Sequence, residues 1–449
     1  MIAGNYRRWT LVLALATLPS RAHAHPVLVR SVPAKDATLT AAPGAIRLTF
    51  SEPVELSLSS LTLEGPGGAV IALGKVGRGA DSAQVIVVAI GTALPNGTYT
   101  VKWRAAGKDG HGTRGQFSFV VATAAKGAGT RELDDTAPFD SGSPLYVAVR
   151  FVRYAGLLSL IGTAVFALAV LTRVRSQDSF DAAAFRRDVS VRARTVARWS
   201  ASILLASSAL RLAAQVVSLG ELTSLGQRAM YETVVLHTTW GHAWLLEVGA
   251  ALVALWGLTR VRPAVSWAAT AFAAPMLALA AALSGHAAAV QDRPGLAITS
   301  DALHVLSASG WVGSLLILFV AGIPAALALG GEAAEQASRA LVESFSPTAL
   351  AFAGLLALSG ALTAWLHLGS LSALWGSTFG RTLMVKLALL GGVAGTGAYN
   401  WRRVRPALGR QGGAARLRTS AAVELAFATA VVAVTAVLVA TPTPMDAVP

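Results

Sequence analysis

The residues with the most chemistry in them begin at His25. It follows Ala22-His23-Ala24, a small-x-small cleavage signature behind the charged pair Arg7 and Arg8 and the apolar run Trp9 to Leu18. That is the layout of a secretory signal, and the run is too short to cross about 30 Å of hydrocarbon as an anchor. Removal of residues 1–24 leaves His25-Pro26-Val27 as a new N-terminus outside the cytoplasm. The free amine and the imidazole of one residue then offer two nitrogens to one metal ion. Pro26 has no amide N–H, so the next backbone nitrogen cannot join them. On the affinity order for divalent metals, such nitrogen ligands suit Cu(II) best.

A tetragonal site still needs a second imidazole and a carboxylate. Asp109-Gly110-His111 lies in a glycine-rich turn, and Ser51-Glu52-Pro53-Val54-Glu55 follows a strand-like run. An Asp-x-His turn is commonly just a solvated loop; His25 is what makes this one a metal candidate. Farther along, His237, His242, His286, His304 and His367 all fall at or near the same ends of apolar segments. Asp301 and His304 are three apart and share one helix face, and His286 in Ser284-Gly-His-Ala287 closes the preceding segment. His286, Asp301 and His304 therefore form a candidate metal entry site, with plain interface hydrogen bonding as the alternative for each. Charge inside a bilayer costs at least about 2.5–3.5 kcal/mol and turns inward to a partner. Arg211 with Glu247, and Lys386 with Asp301, are the expected ion pairs.

The elements that must position these groups are of two kinds. Residues 25–122 read as all-β: short runs such as Ala45 to Phe50, Thr98 to Trp103 and Gln116 to Val121 are separated by Pro43-Gly44, Gly65-Pro66-Gly67-Gly68 and Asn96-Gly97. Alternation over about 100 residues predicts an immunoglobulin-like Greek-key sandwich. Residues 123–144, rich in Ala, Gly, Asp and Thr, read as a flexible tether. Residues 145–440 hold eight apolar stretches near 146–172, 199–218, 237–258, 265–284, 301–328, 348–369, 380–400 and 421–440, each close to the length of a transmembrane helix. Residues 441–449 form a tail.

Composition agrees. The 449 residues are 54% hydrophobic and only 13% charged, about half the charge of a soluble domain, which excludes both a wholly soluble chain and disorder. The 37 Lys and Arg against 23 Asp and Glu give +14. Most of the excess is arginine between apolar stretches, where it sets membrane orientation, so no nucleic-acid partner is expected. Arginines cluster after the first, third and seventh stretches (Arg173 to Arg198, Arg260 and Arg262, Arg402 to Arg418). The positive-inside rule puts that side in the cytoplasm and the β-domain outside. No cysteine is present, excluding disulfides and thiolate sites. There is no Gly-x-Ser-x-Gly elbow and no Walker loop, so neither a serine hydrolase nor self-powered ATP-driven transport is expected.

An internal repeat is also visible. Thr239-Trp-Gly-His-Ala-Trp-Leu-Leu-Glu247 lines up with Thr378-Phe-Gly-Arg-Thr-Leu-Met-Val-Lys386. Arg150 and Arg153 before Gly162 parallel Asp301 and His304 before Gly313 at one constant offset. This predicts two four-span halves in parallel orientation, against chance likeness between Ala/Leu-rich helices.

Four segments in order, His25-Pro-Val-Leu-Val-Arg-Ser, Leu48-Thr-Phe-Ser-Glu-Pro-Val-Glu55, Gly97-Thr-Tyr-Thr-Val-Lys-Trp103 and Lys108-Asp-Gly-His-Gly112, resemble the CopC copper-resistance family. The resemblance implies a periplasmic Cu(II) carrier with His25, Asp109 and His111 as ligands and Glu52 as a fourth candidate. Some family members also hold Cu(I) with methionines; this domain has none, so that site is expected to be missing. Ser284-Gly-His-Ala287, Asp301-x-x-His304 with Trp311-Val-Gly313, and Gly380-Arg-Thr-Leu-Met-Val-Lys386 resemble the CopD copper-resistance membrane family, and the two units also occur fused in one chain. The implied function is copper binding in the periplasm and copper import across the bacterial inner membrane, contributing to homeostasis or resistance. The partners are copper ions, the lipid bilayer and periplasmic copper carriers. No catalytic residues are assigned. Met276 and Met384 are candidate soft ligands for Cu(I) in the bundle. The alternatives from residue types are a haem-binding membrane electron-transfer protein, using paired histidines, and a copper oxygenase.

Overall fold

The chain's structure is a computed structural model describing residues 26–79, 82–107, 112–122, 143–175, 180–220, 227–260, 263–288, 290, 293–368, 370–408, 410 and 412–441. The side chains of 218–220, 227, 263–264 and 286 are outside that description. The signal segment 1–24, His25, Asp109, His111 and the tether residues 123–142 all lie outside the described residues.

Alternation builds the first unit. Along β8 (Gly97–Ala106) Tyr99, Val101, Trp103 and Ala105 turn inward and are buried, as a strand with one face on a core requires. The strands are β1 (Leu28–Val32), β2 (Thr38–Leu39), β3 (Ala45–Phe50), β4 (Ser60–Glu64), β5 (Val70–Ile71), β6 (Gly77–Gly79), β7 (Ser82–Ala89), β8 and β9 (Gly112–Val121). They form two sheets, ordered β1-β3-β7-β6 and β2-β9-β8-β4-β5, so β3 and β4 cross between layers and the predicted sandwich is observed. Phe50 packs edge-on to Trp103 and Tyr99 stacks on Phe119 between them. The buried Tyr99 hydroxyl donates to the Pro95 carbonyl at 2.5 Å, a tyrosine corner that ties the loop before β8 to the core. Burial pushes that hydroxyl's pKa up.

Among the described residues, the second unit has eight helices long and apolar enough to cross a membrane: α1 (Pro144–Arg173), α2 (Ala182–Val217), α4 (Thr239–Arg260), α5 (Val265–Leu283), α6 (Pro294–Leu327), α7 (Gly331–Leu368), α9 (Thr378–Ala407) and α10 (Gly413–Leu438). Short helices α3 (Gln227–Leu236) and α8 (Ala373–Gly376) precede α4 and α9. Ser143 caps α1 through its hydroxyl, and Pro144 occupies the first turn, where a missing N–H costs nothing. Three helices begin well before the apolar stretches: α2, α7 and α10 start at Ala182, Gly331 and Gly413. Hydropathy marks only the stretch in hydrocarbon, whereas the helix continues into water. There, Arg192 pairs with Asp188 and Arg339 with Glu343, both one helical turn apart.

Arg194 and Arg198 reach the Leu258 carbonyl at the end of α4, at 2.7 to 3.0 Å, supplying donors to carbonyls that a helix end leaves unpaired. These arginines and Arg173 lie at the ends of α1, α2 and α4 opposite the sandwich. The sandwich itself rests on the other face, where Leu58 and Ala106 pack with Val216, Met230, Val234 and Trp240.

The repeat is built into the packing. Gly162 of α1 and Gly313 of α6, equivalent positions of the two halves, meet directly: a Cβ on Gly162 would overlap the Gly313 backbone, and one on Gly313 the Leu158 carbonyl. A residue that touches its own repeat equivalent lies beside the axis relating the halves. A Cβ on Gly241 would likewise overlap the Val234 carbonyl, and one on Gly380 the Ala373 carbonyl. Both repeats thus seat a short helix against the start of a span in the same way.

Candidate metal path and intramembrane polar centres

The four sandwich positions implied as copper ligands are approached through their neighbours. Thr113, near the start of β9, donates to the Pro26 carbonyl at 2.8 Å. The Val27 amide donates to the Ser51 hydroxyl at 2.9 Å, and the Ser51 amide to the Val27 carbonyl at 2.8 Å. These bonds join the chain beside His25, Glu52 and His111 into one frame. Glu52 is 6% exposed and has polar contacts, which a buried carboxylate requires. Ala106 of β8 pairs with Gly112 of β9, and the Glu55 amide donates to the Ala106 carbonyl at 2.7 Å. The same end of the sandwich meets the bundle, because Glu55 also accepts from the Thr239 hydroxyl at 3.1 Å.

Inside the bundle two polar centres occupy equivalent places in the two halves. In the first, Glu247 of α4 takes a two-pronged grip from Arg153 of α1, with Nε at 2.8 and 3.0 Å and Nη2 closer still. Ser208 of α2 also donates to Glu247, and Arg211 stands at 3.9 Å. All four residues are buried. The expected Arg211–Glu247 pair is present, but Arg153 is the principal partner. The signal was in the sequence: a charge within an apolar span demands a counter-charge, though its partner lies far along the chain.

The second centre holds Asp301 and His304 of α6, His367 of α7 and Lys386 of α9. His304 Nδ1 lies 3.3 Å from the Ser359 hydroxyl, and its ring rests against Gly360. His367 bonds the Thr363 carbonyl at 2.8 Å and stacks on Phe379. Asp301 interacts electrostatically with His367 and Lys386, yet no Asp301–Lys386 ion pair within 4 Å is found among the described residues. The expected direct pair is replaced by a looser cluster that also takes in His367, which the sequence marks only as one of five histidines at that end of the spans. Among the described residues no three His, Asp or Glu side chains are placed to hold one metal ion; the His286 side chain is outside that set. Met276 packs against the bundle core.

Known families match both units. The CopC domain covers residues 28–122, the N-terminal domain of copper resistance protein D-like proteins residues 140–297, and copper resistance protein D residues 339–438. Copper resistance protein D of Pseudomonas syringae pv. tomato is 30% identical over 273 residues, 60% of this chain and 84% of that relative. The chain belongs to the CopC–CopD copper-resistance family. Copper transport protein CutJ of Bacillus subtilis is 28% identical over 457 residues, 98% of this chain and 79% of that protein. The crystal structure of PcoC, a methionine-rich copper resistance protein from Escherichia coli, shares 38% identity, covering 22% of this chain and all of that one, with a TM-score of 0.21. As a member of the family this chain is a multi-pass membrane protein that handles copper.

Proposed function

We propose that the CopC-like sandwich captures Cu(II) in the periplasm, with the His25 amine and imidazole, Asp109 and His111 as ligands and Glu52 as a nearby carboxylate. The CopD-like bundle then takes the metal at His286, Asp301 and His304 and carries it inward across the inner membrane. One observation carries this reading: the hydrogen-bonded frame beside the ligand positions stands at the end of the sandwich that docks on the bundle, through Glu55 and Thr239. Capture at that end would place the metal on the face of the bundle that carries its histidines. The arginine-rich opposite face supports a cytoplasmic assignment for that side.

The test combines N-terminal sequencing of the exported chain, copper titration and cellular copper accumulation. A chain beginning at His25 binds one Cu(II) with nitrogen coordination, and His111→Ala weakens that binding. His304→Ala keeps it but lowers accumulation to the level of cells without the protein. A mature chain starting elsewhere removes the amine ligand and the capture step. Lower copper in expressing cells than in empty cells reverses the direction.

A further inference from the structure

Arg211 poses a problem that copper does not solve. Its guanidinium is buried in the sandwich-side half of the bundle, with 5% of the residue exposed. Its nearest carboxylate oxygen is 3.9 Å away, on a Glu247 already gripped by Arg153. Among the described residues it meets no hydrogen-bond acceptor, although guanidinium carries five N–H donors. A buried guanidinium needs acceptors for such donors. The group is held in place by the Trp240 ring, 5.1 Å from its carbon, and borders a cavity of about 30 Å³ lined also by Tyr146, Arg150, Arg153 and Ser284. Arg150 and Arg153 are 5% and 3% exposed. Three buried guanidiniums thus surround one small space.

We propose that this cavity binds a small anion of the carboxylate and carbonate class, with Arg211 as its principal ligand. A guanidinium fork matches the two oxygens of a planar carboxylate. At about 10–15 Å³ for one water, the space is small, which favours a compact planar anion over a tetrahedral phosphate. Its positive walls repel a copper ion, so the site is separate from the metal path. Trp240 also packs under Leu58 and Ala106 of the sandwich, which places the anion directly beneath the docking contact.

The test is thermal unfolding of the purified full-length chain in detergent, with sodium acetate, bicarbonate, chloride or phosphate at constant ionic strength. A ligand of the native state raises the midpoint saturably. Acetate and bicarbonate should each raise it by several degrees, while Arg211→Gln abolishes the response and Arg194→Gln, on the opposite face, retains it. If Arg211→Gln does not fold, Ser284→Leu serves instead: it fills the cavity, leaves every arginine in place, and must also remove the response. An equal rise with all four salts, a rise with chloride or phosphate alone, or an acetate response that survives these cavity substitutions overturns the proposal. Copper is absent throughout, so failure here leaves the copper reading untouched.

Discussion

The Thr239 hydroxyl donates to the Glu55 carboxylate at 3.1 Å, and the Thr239 amide approaches the same oxygen at 3.5 Å. One side chain of the sandwich thus sits at the first residue of a membrane-spanning helix. A carboxylate is stabilised there twice, by direct donors and by the positive end of the helix dipole. The contact fixes the end of the sandwich where Ala106 pairs with Gly112 against the start of α4.

Removing that carboxylate should loosen docking without unfolding the sandwich. For Glu55→Ala the expected loss is about 1 kcal/mol, the scale of one partly exposed charged hydrogen bond. Amide hydrogen exchange should speed about fivefold in α3 and the first turn of α4 and stay unchanged in β3 and β8. Unaltered exchange in α3 and α4 would mean that the bond does not hold the two units together.

Glu247 presents the opposite case, a carboxylate buried among Arg153, Ser208 and Arg211. Truncation to Ala strands two guanidiniums, and breaking a buried pair this way costs about 3–5 kcal/mol. The double replacement Arg153→Met with Glu247→Leu removes the charges together and should unfold at a higher temperature than Glu247→Ala. A double variant no more stable than the single one would show that the network is not mainly an electrostatic pair.

What the sequence disclosed follows from the range of each signal. Alternation along 98–103 and 116–121 is local, and it located β8 and β9; the hydropathy of eight stretches is local too. The constant offset between Arg153 and His304 makes Gly162 and Gly313 equivalents, but that the two touch is a matter of packing that no offset shows. Pairing across spans is not local, so Glu247 was matched to Arg211 while Arg153 holds it more closely. His367 was read only as one histidine among five, because its place beside Asp301 depends on how α7 leans on α6 and α9. The extensions of α2 and α7 were missed because charged helical turns in water leave no apolar trace.

Tyr99 gives a prediction with a pH sign. Its buried hydroxyl donates to Pro95, and burial raises its pKa above the ordinary value near 10. Between those two values the unfolded chain sheds the proton while the folded sandwich keeps it, so stability falls as pH rises through that window. Tyr99→Phe should cost about 1 kcal/mol at neutral pH and flatten the loss above pH of about 10. Parallel pH dependence of sandwich unfolding in the two proteins would rule this linkage out.

The sharpest test of the repeat is at its axis. Gly162 and Gly313 allow α1 and α6 to touch backbone to backbone, the close approach small residues give to helices in membranes. A methyl group on either has nowhere to go, because the obstructing atoms are backbone and cannot swing aside. Gly162→Ala and Gly313→Ala should therefore destabilise the bundle similarly, each by about 2–4 kcal/mol on the scale of overpacked cores and forced backbone shifts. Gly249 of α4 is the control, since a Cβ there meets nothing within 4 Å. Gly249→Ala should gain up to about 1 kcal/mol from helix propensity. Thermal unfolding followed by size-exclusion chromatography separates the outcomes. If only one axial glycine were sensitive, the contact would be an ordinary crossing of two helices, and the two halves would not share an axis at that point.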